Sequence, residues 1–167
     1  MKNEFRSRVP WREKLERPQE PKLVKVPPNM SRFGKGMMLI PTPKLVDKVV
    51  RRIGRGKLMT VGEIRRTLAN DFSADVTCPL TTGIFLRIAA EAAEEDRANG
   101  RKRVTPYWRV VKENGGLNPK FPGGEPEQAR HLRSEGFEII KRRKGSFVKD
   151  FERHTSLKDI RATCDES

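Results

Sequence analysis

Residues 60–100 read TVGEIRRTLANDFSADVTCPLTTGIFLRIAAEAAEEDRANG, and this stretch decides the fold. Thr60 and Glu63 stand at capping-box spacing, where a hydroxyl and a carboxylate each satisfy one orphan backbone N–H at a helix start. Val61, Ile64 and Leu68 then fall on one stripe, which predicts a short helix ending near Asn70. Asp71 to Cys78 form a linker, and Pro79 can open a second helix because the first turn has no use for its missing N–H. Leu80, Ile84, Ile88 and Ala92 recur every four residues with Phe85 and Ala89 beside them, up to the stop signal Asn99-Gly100. A helix of that length spans ~30 Å.

Outward from this pair the same signals continue. Upstream, Thr42 is an N-cap candidate before Pro43, and Leu45, Val46, Val49, Val50 and Ile53 share a face until Gly54 and Gly56 end the element. Downstream of Arg101-Lys102-Arg103, the β-branched and aromatic run Val104 to Val111 reads as a strand, and Asn114-Gly115-Gly116 as a turn. A Gly- and Pro-rich loop from Asn118 to Gly124 precedes a short helix expected over Pro126 to Glu135, stopped by Gly136. Phe137–Ile140 and Ser146–Val148 flank Lys141-Arg142-Arg143-Lys144-Gly145 as a basic-tipped hairpin. Short helix, linker, longer helix, then hairpin is the order of a winged helix-turn-helix. The expected fold is α+β, a helix-dominated single domain over 36–148. Residues 1–35 hold Pro10, Pro18, Pro21, Pro27 and Pro28 among charges, which predicts an extended basic arm whose Trp11, Leu23, Val24 and Val26 can dock on the body. Residues 149–167 read as a polar, frayed tail.

The charge balance narrows the partners. Among 167 residues there are 36 Lys and Arg against 22 acids, a formal charge of +14. Such an excess repels itself unless an anionic partner relieves it, and nucleic acid is the leading class. Apolar and charged residues each make up 35% of the chain, which predicts a modest core with segments that bury little. Cys78 and Cys164 are the two cysteines and His131 and His154 the two histidines, so no metal centre is expected and no cofactor motif is present. The opening residues carry no apolar signal segment, and the longest fully apolar run, Met37 to Ile40, is far too short to cross a bilayer. A cytoplasmic, nucleoid-associated and monomeric protein with no membrane contact is the expectation.

Four segments in order resemble the DNA-binding domain of the alkylguanine-DNA alkyltransferase and alkyltransferase-like family. Arg55-Gly56-Lys57-Leu58-Met59-Thr60-Val61-Gly62-Glu63-Ile64 resembles the family's G-[KR]-V-x-[ST]-Y-G-E-[IL] segment, and Gly83-Ile84-Phe85-Leu86-Arg87 its recognition-helix segment V-G-x-A-[LM]-R. Pro106-Tyr107-Trp108-Arg109-Val110-Val111, continuing to Leu117, stands where the family has P-C-H-R-V-[VI]-x-x-x-G-x-[LI]. Gly123-Gly124 and Leu132-Arg133-Ser134-Glu135-Gly136 keep that register.

In the family a cysteine thiolate takes an alkyl group from a guanine flipped out of the duplex, activated by a neighbouring His and a distant Glu. The resemblance places Tyr107 at the Cys position, Trp108 at the His position and Glu135 at the Glu position. A phenol with a pKa near ~10 is a poor soft nucleophile, and indole offers no acid-base nitrogen. The resemblance therefore implies a non-enzymatic protein. Alkyltransferase-like proteins, which bind lesions without repairing them, usually keep the His that this chain lacks. Val61 replaces the family's tyrosine, Leu80 falls at its intercalating arginine, and the stretch from Arg87 to Pro106 is longer than the family's connection.

Tyr107, Trp108, Arg109 and Glu135 are thus the candidates for a lesion pocket, the rings stacking on an extruded base. The bland alternative puts one ring in the core and leaves the other half-exposed. Thr60, Leu80 and Thr81, with Arg55, Lys57, Arg65, Arg66 and Arg87, are candidates for the duplex contact, and Lys141, Arg142 and Arg143 for a wing on phosphates. Against this, a basic stripe can be a solvated face, and Arg87 can simply pair with Glu91. Leucine can wedge between bases in the minor groove. Three functions follow: a non-catalytic reader of alkylated or damaged guanine in duplex DNA, associated with repair proteins; a lesion-independent nucleic-acid-binding or architectural protein; and a residual enzyme with Cys78 as alkyl acceptor. Cys78 before Pro79 also reads simply as a small apolar residue closing a loop.

Overall fold

The computed structural model describes residues 9–155. Its elements are helix α1 (Trp11–Glu16), strand β1 (Lys22–Lys25), a 3-10 turn at Pro28–Phe33, β2 (Met37–Ile40), α2 (Pro43–Arg51), β3 (Met59–Thr60), α3 (Val61–Asp71), β4 (Val76–Thr77) and α4 (Pro79–Ala98). A 3-10 turn at Tyr107–Arg109 leads into β5 (Val110–Val111), followed by α5 (Gly124–Ser134), β6 (Ile139–Arg142), β7 (Gly145–Val148) and a last 3-10 turn at Phe151–His154. The architecture is α+β, with the strands gathered into three small sheets.

The helix starts form as their residues dictate. Thr42 Oγ1 accepts from the Leu45 N–H ahead of Pro43. At α3, Thr60 Oγ1 accepts from the Glu63 N–H while the Glu63 carboxylate accepts from the Thr60 N–H, closing the capping box. Asn99-Gly100 ends α4, with Gly100 at φ +88°, a left-handed conformation that glycine adopts without strain.

Helix α4 is the spine of the core. Its Leu86, Ala90 and Ala93 face a buried cluster with Val46, Val49 and Val50 of α2, Ile64 and Leu68 of α3, and Leu132 of α5. On a second face, Ala89 and Ala92 pack against Leu15, with Trp11 and Ile88 alongside. Small side chains on two faces let α1 and α2 approach from both sides, so α4 is covered along its middle. Near its start, Leu80 and Ile84 stand exposed while Thr82 between them is fully buried.

Short strands fix the site. β3 runs parallel to β5 with Met59 opposite Val110 and Thr60 opposite Val111, which brings the α3 start to the end of the Tyr107–Arg109 turn. The Gly62 N–H also donates to the Glu113 carboxylate. β6 and β7 form the expected hairpin, Ile140 opposite Phe147 and Arg142 opposite Gly145.

Four expectations are corrected. The stretch placed in an extended arm over 1–35 contains α1 and β1: prolines break it into short pieces, but Leu15 buries against α4 and β1 pairs antiparallel with β2, Leu23 opposite Leu39. β2 in turn pairs parallel with β4, so the boundary at 35 falls inside one sheet. Val104–Val111 is a strand only at its last two residues, because Pro106 removes a ladder donor and the chain tightens into a 3-10 turn. Helix α5 starts at Gly124, two residues earlier than expected. Residues 149–155 are docked rather than frayed, since the Leu58 N–H donates to His154 O at 2.7 Å. Cys164 and the rest of the expected tail lie outside the described residues.

Candidate nucleic-acid interface and the aromatic cluster behind it

The 3-10 turn after Pro106 drives two consecutive rings inward, which neither the pocket reading nor the alternative of one half-exposed ring describes. Tyr107 is fully buried and Trp108 is 9% exposed. Tyr107 meets Trp108 and Phe121 edge-on at centroid distances of 5.3 Å each, and His131 at 6.1 Å. Its hydroxyl donates to Glu94 Oε1 at 2.7 Å. Burial, and then the Glu94 carboxylate, push the phenol's ionisation far above its usual range. This phenol has no access to a thiolate's chemistry.

Trp108 stacks on His131 at 4.2 Å with 10° between planes, and its indole N–H donates to Glu135 Oε2 at 2.5 Å. Arg109 Nε donates to Glu135 Oε1 at 2.9 Å, and its Nη1 to Ile53 O at 2.6 Å. Burial pushes the Glu135 carboxyl up, but hydrogen bonds from Arg109 and Trp108 outweigh it and hold the carboxyl below the usual range. Gln128 ties the turn to α5: its Nε2 donates to Trp108 O at 3.1 Å and Val110 O at 2.9 Å. The four lesion-pocket candidates are therefore brought together, but as a packed cluster in which Tyr107 lines no open space.

His131 was not assigned a partner from sequence, nor were Phe121, Glu94 and Gln128 connected with the site. One signal was available: Glu127, His131 and Glu135 are spaced by four and share a helix face. Burial, then Arg97 and Arg130, lower the His131 pKa, while its Nε2 lies 3.7 Å from both Glu94 Oε1 and Glu127 Oε1 without a hydrogen bond. The lowering favours the neutral imidazole, which meets Trp108 as a stacked ring.

Cys78 is buried at the α4 N-terminus, with its N–H donating to Leu39 O. Glu94, which holds Tyr107, is sixteen residues further along α4, so the thiol stands ~24 Å along the helix from the aromatic cluster. The two do not form one site.

The expected duplex contacts divide. Leu80 and Ile84, one turn apart near the start of α4, are 65% and 58% exposed. Thr81, beside them, donates to Cys78 O at 3.4 Å. Arg65 and Arg66 of α3 line a cavity of about 240 Å³ with Gly62, Val76 and Thr77, adjoining the α4 start. Thr60, by contrast, is buried and committed to its cap, so it presents no hydroxyl at the surface. Arg87 adopts the bland arrangement, 3.9 Å from Glu91 with its guanidinium 5.9 Å from the Trp11 ring. Arg55 bonds Ser134 O and the Gly56 N–H bonds Glu135, which places Arg55 and Lys57 beside the Glu135 end of the aromatic cluster. Lys141, Arg142, Arg143 and Lys144 are exposed on the β6–β7 hairpin, next to an open groove of about 730 Å³ containing Phe147 and Phe151.

No protein-family model matches the chain, and no curated protein matches it. Among solved structures it is similar to S. pombe Atl1 in complex with damaged DNA containing O6-carboxymethylguanine, at 21% identity over 68% of this chain and 92% of that chain, TM-score 0.47. It is likewise similar to S. pombe ATL in complex with DNA, with the same identity and coverage and a TM-score of 0.48. Among the described residues no helix is long and apolar enough to cross a membrane, and no group of His, Cys, Asp and Glu is arranged to hold a metal ion.

Proposed function

We propose that this chain is a non-catalytic DNA-binding protein of the winged helix-turn-helix kind, alkyltransferase-like in design, that grips a duplex by its backbone and presses Leu80 and Ile84 into the minor groove. The observation that carries this reading is the exposed pair itself. Two large apolar side chains stand in water near the start of α4, on a helix whose opposite face is packed into the core. Water disfavours that exposure, and a gap between base pairs removes it. The net charge of +14 supplies the attraction to phosphate, with the β6–β7 hairpin as the wing.

Opening a base step costs least where a modified base already stacks poorly, so a wedge favours damaged guanine without needing a fitted pocket. Coupling to other repair proteins, a monomeric state and a nucleoid-associated cytoplasmic location belong to this reading. A lesion-blind, architectural role is the second reading, favoured by one observation: Tyr107 is packed between Trp108 and Phe121, and a base could replace it only if a ring left the core. Titrating matched duplexes with and without one O-alkylated guanine separates the two. Tighter binding to the modified duplex is expected; equal affinities leave only the architectural role. Failure to bind either duplex removes both.

A further inference from the structure

At the far end of α4 lies a feature that the duplex contact does not use. Arg51 from α2, Arg97 from α4, Arg101, Lys102 and Arg103 from the following loop, and Arg109 from the 3-10 turn line one open cleft of about 660 Å³, with Pro106 and Trp108 also in its wall. Six cations from four segments facing one space repel one another, and a fold tolerates that only with compensation. Much of the compensation lies behind the cleft. Buried Asp47 holds Arg51 at 2.7 Å, Glu135 holds Arg109 at 2.9 Å, and buried Asp96 stands 3.9 Å from Arg101 while also serving Arg12 at 3.4 Å. These carboxylates aim the guanidinium groups. Asp47 is itself held from its other oxygen by the Thr105 hydroxyl at 2.6 Å.

The attraction of a helix C-terminus for cations accounts for Arg97 and Arg101. It does not account for Arg51 and Arg109, which arrive from other elements, nor for exposed Lys102 and Arg103 at the rim. Arg97 and Arg109 also hold their guanidinium carbons 5.6 Å and 5.8 Å from the Trp108 ring centroid, so charge and ring stand side by side. We infer that this cleft binds a phosphate group, carried by a free nucleotide or by a nucleic-acid strand. Guanidinium forks match phosphate oxygens in pairs. The site is separate from the Leu80 wedge, since Arg97 follows Leu80 by seventeen residues on one helix, a distance of ~25 Å.

The test uses the full chain carrying Trp11→Phe, which leaves Trp108 as the one indole because the chain has two tryptophans. Trp108 emission and thermal midpoint are followed while titrating inorganic pyrophosphate, adenosine triphosphate or a short oligothymidylate. A saturable change in either signal is expected, and Lys102→Glu/Arg103→Glu should weaken it by at least about tenfold, since charge-assisted bonds to phosphate are lost. Leu80→Ala should leave it intact, so a failed duplex contact and a failed phosphate site are told apart. Preference for the triphosphate identifies a nucleotide, and preference for the oligonucleotide identifies a strand. No saturable change with any probe, or equal affinity in the double variant, overturns the inference.

Discussion

The indole nitrogen of Trp108 lies 2.5 Å from Glu135 Oε2, so the carboxylate receives a proton donor that cannot titrate. Arg109 bonds the same carboxylate. Glu135 is thus satisfied by two donors, one of them fixed in charge at any pH the folded chain meets.

Acid should therefore unfold this protein partly through Glu135. Its carboxyl is held below the usual range in the folded chain, whereas the unfolded value is ~4.3. The stability it supplies is present above that unfolded value and is lost as pH falls through the lower folded one. Glu135→Gln should lower the thermal midpoint near neutrality, removing a charge-assisted bond of about 1.5–3 kcal/mol. It should also flatten the acid limb of the midpoint-against-pH curve. A wild-type limb no steeper than that of the variant would contradict the role given to Glu135.

Tyr107 is the chain's single tyrosine, so phenolate absorbance reports on it alone. Burial and Glu94 raise its pKa, so the neutral phenol is the form the fold stabilises. That contribution is complete below the unfolded value of ~10 and is lost as pH rises through the folded one. No phenolate band should appear on raising pH until circular dichroism shows the chain unfolding. A phenolate signal from the folded protein would mean the ring is accessible and would revive the pocket reading.

The elements that proved legible are those whose signals are local. The Thr60–Glu63 capping box, the Thr42-Pro43 start and the Asn99-Gly100 stop each depend on residues within one turn, and each helix begins or ends where they stand. What failed depends on long-range burial. Leu15 anchors α1 only because Ala89 and Ala92 lie opposite it, and no residue near Leu15 announces that. Tyr107 and Trp108 turn inward together because a 3-10 turn rotates successive side chains differently from a strand. Tyr107, Trp108, Arg109 and Glu135 do come together, but the rings packed around them are not legible in the sequence. Phe121 and His131 come from segments that sequence spacing does not connect to Tyr107.

Thr60 gives a test that separates fold from binding. Its hydroxyl caps α3 and is buried, so Thr60→Ala should cost about 1 kcal/mol of stability. Duplex affinity, measured well below the lowered midpoint, should change little. A large affinity loss at unchanged stability would return Thr60 to the DNA surface.

Leu80 supplies the converse case. Because its side chain is mostly in water, Leu80→Ala should shift stability by no more than about 0.5 kcal/mol. If the side chain wedges between base pairs, the same change should weaken duplex binding with the salt dependence preserved, since no charge is lost. Replacing Lys141, Arg142, Arg143 and Lys144 with alanine should behave oppositely. Affinity should fall, and the log-log salt slope should become shallower by ~0.9 for each phosphate no longer neutralised. An apolar wedge and a charged wing are thus separable in one set of titrations. If Leu80→Ala binds as tightly as wild type while the hairpin variant loses all affinity, then backbone charge alone holds the duplex, and the exposed pair on α4 has some other purpose.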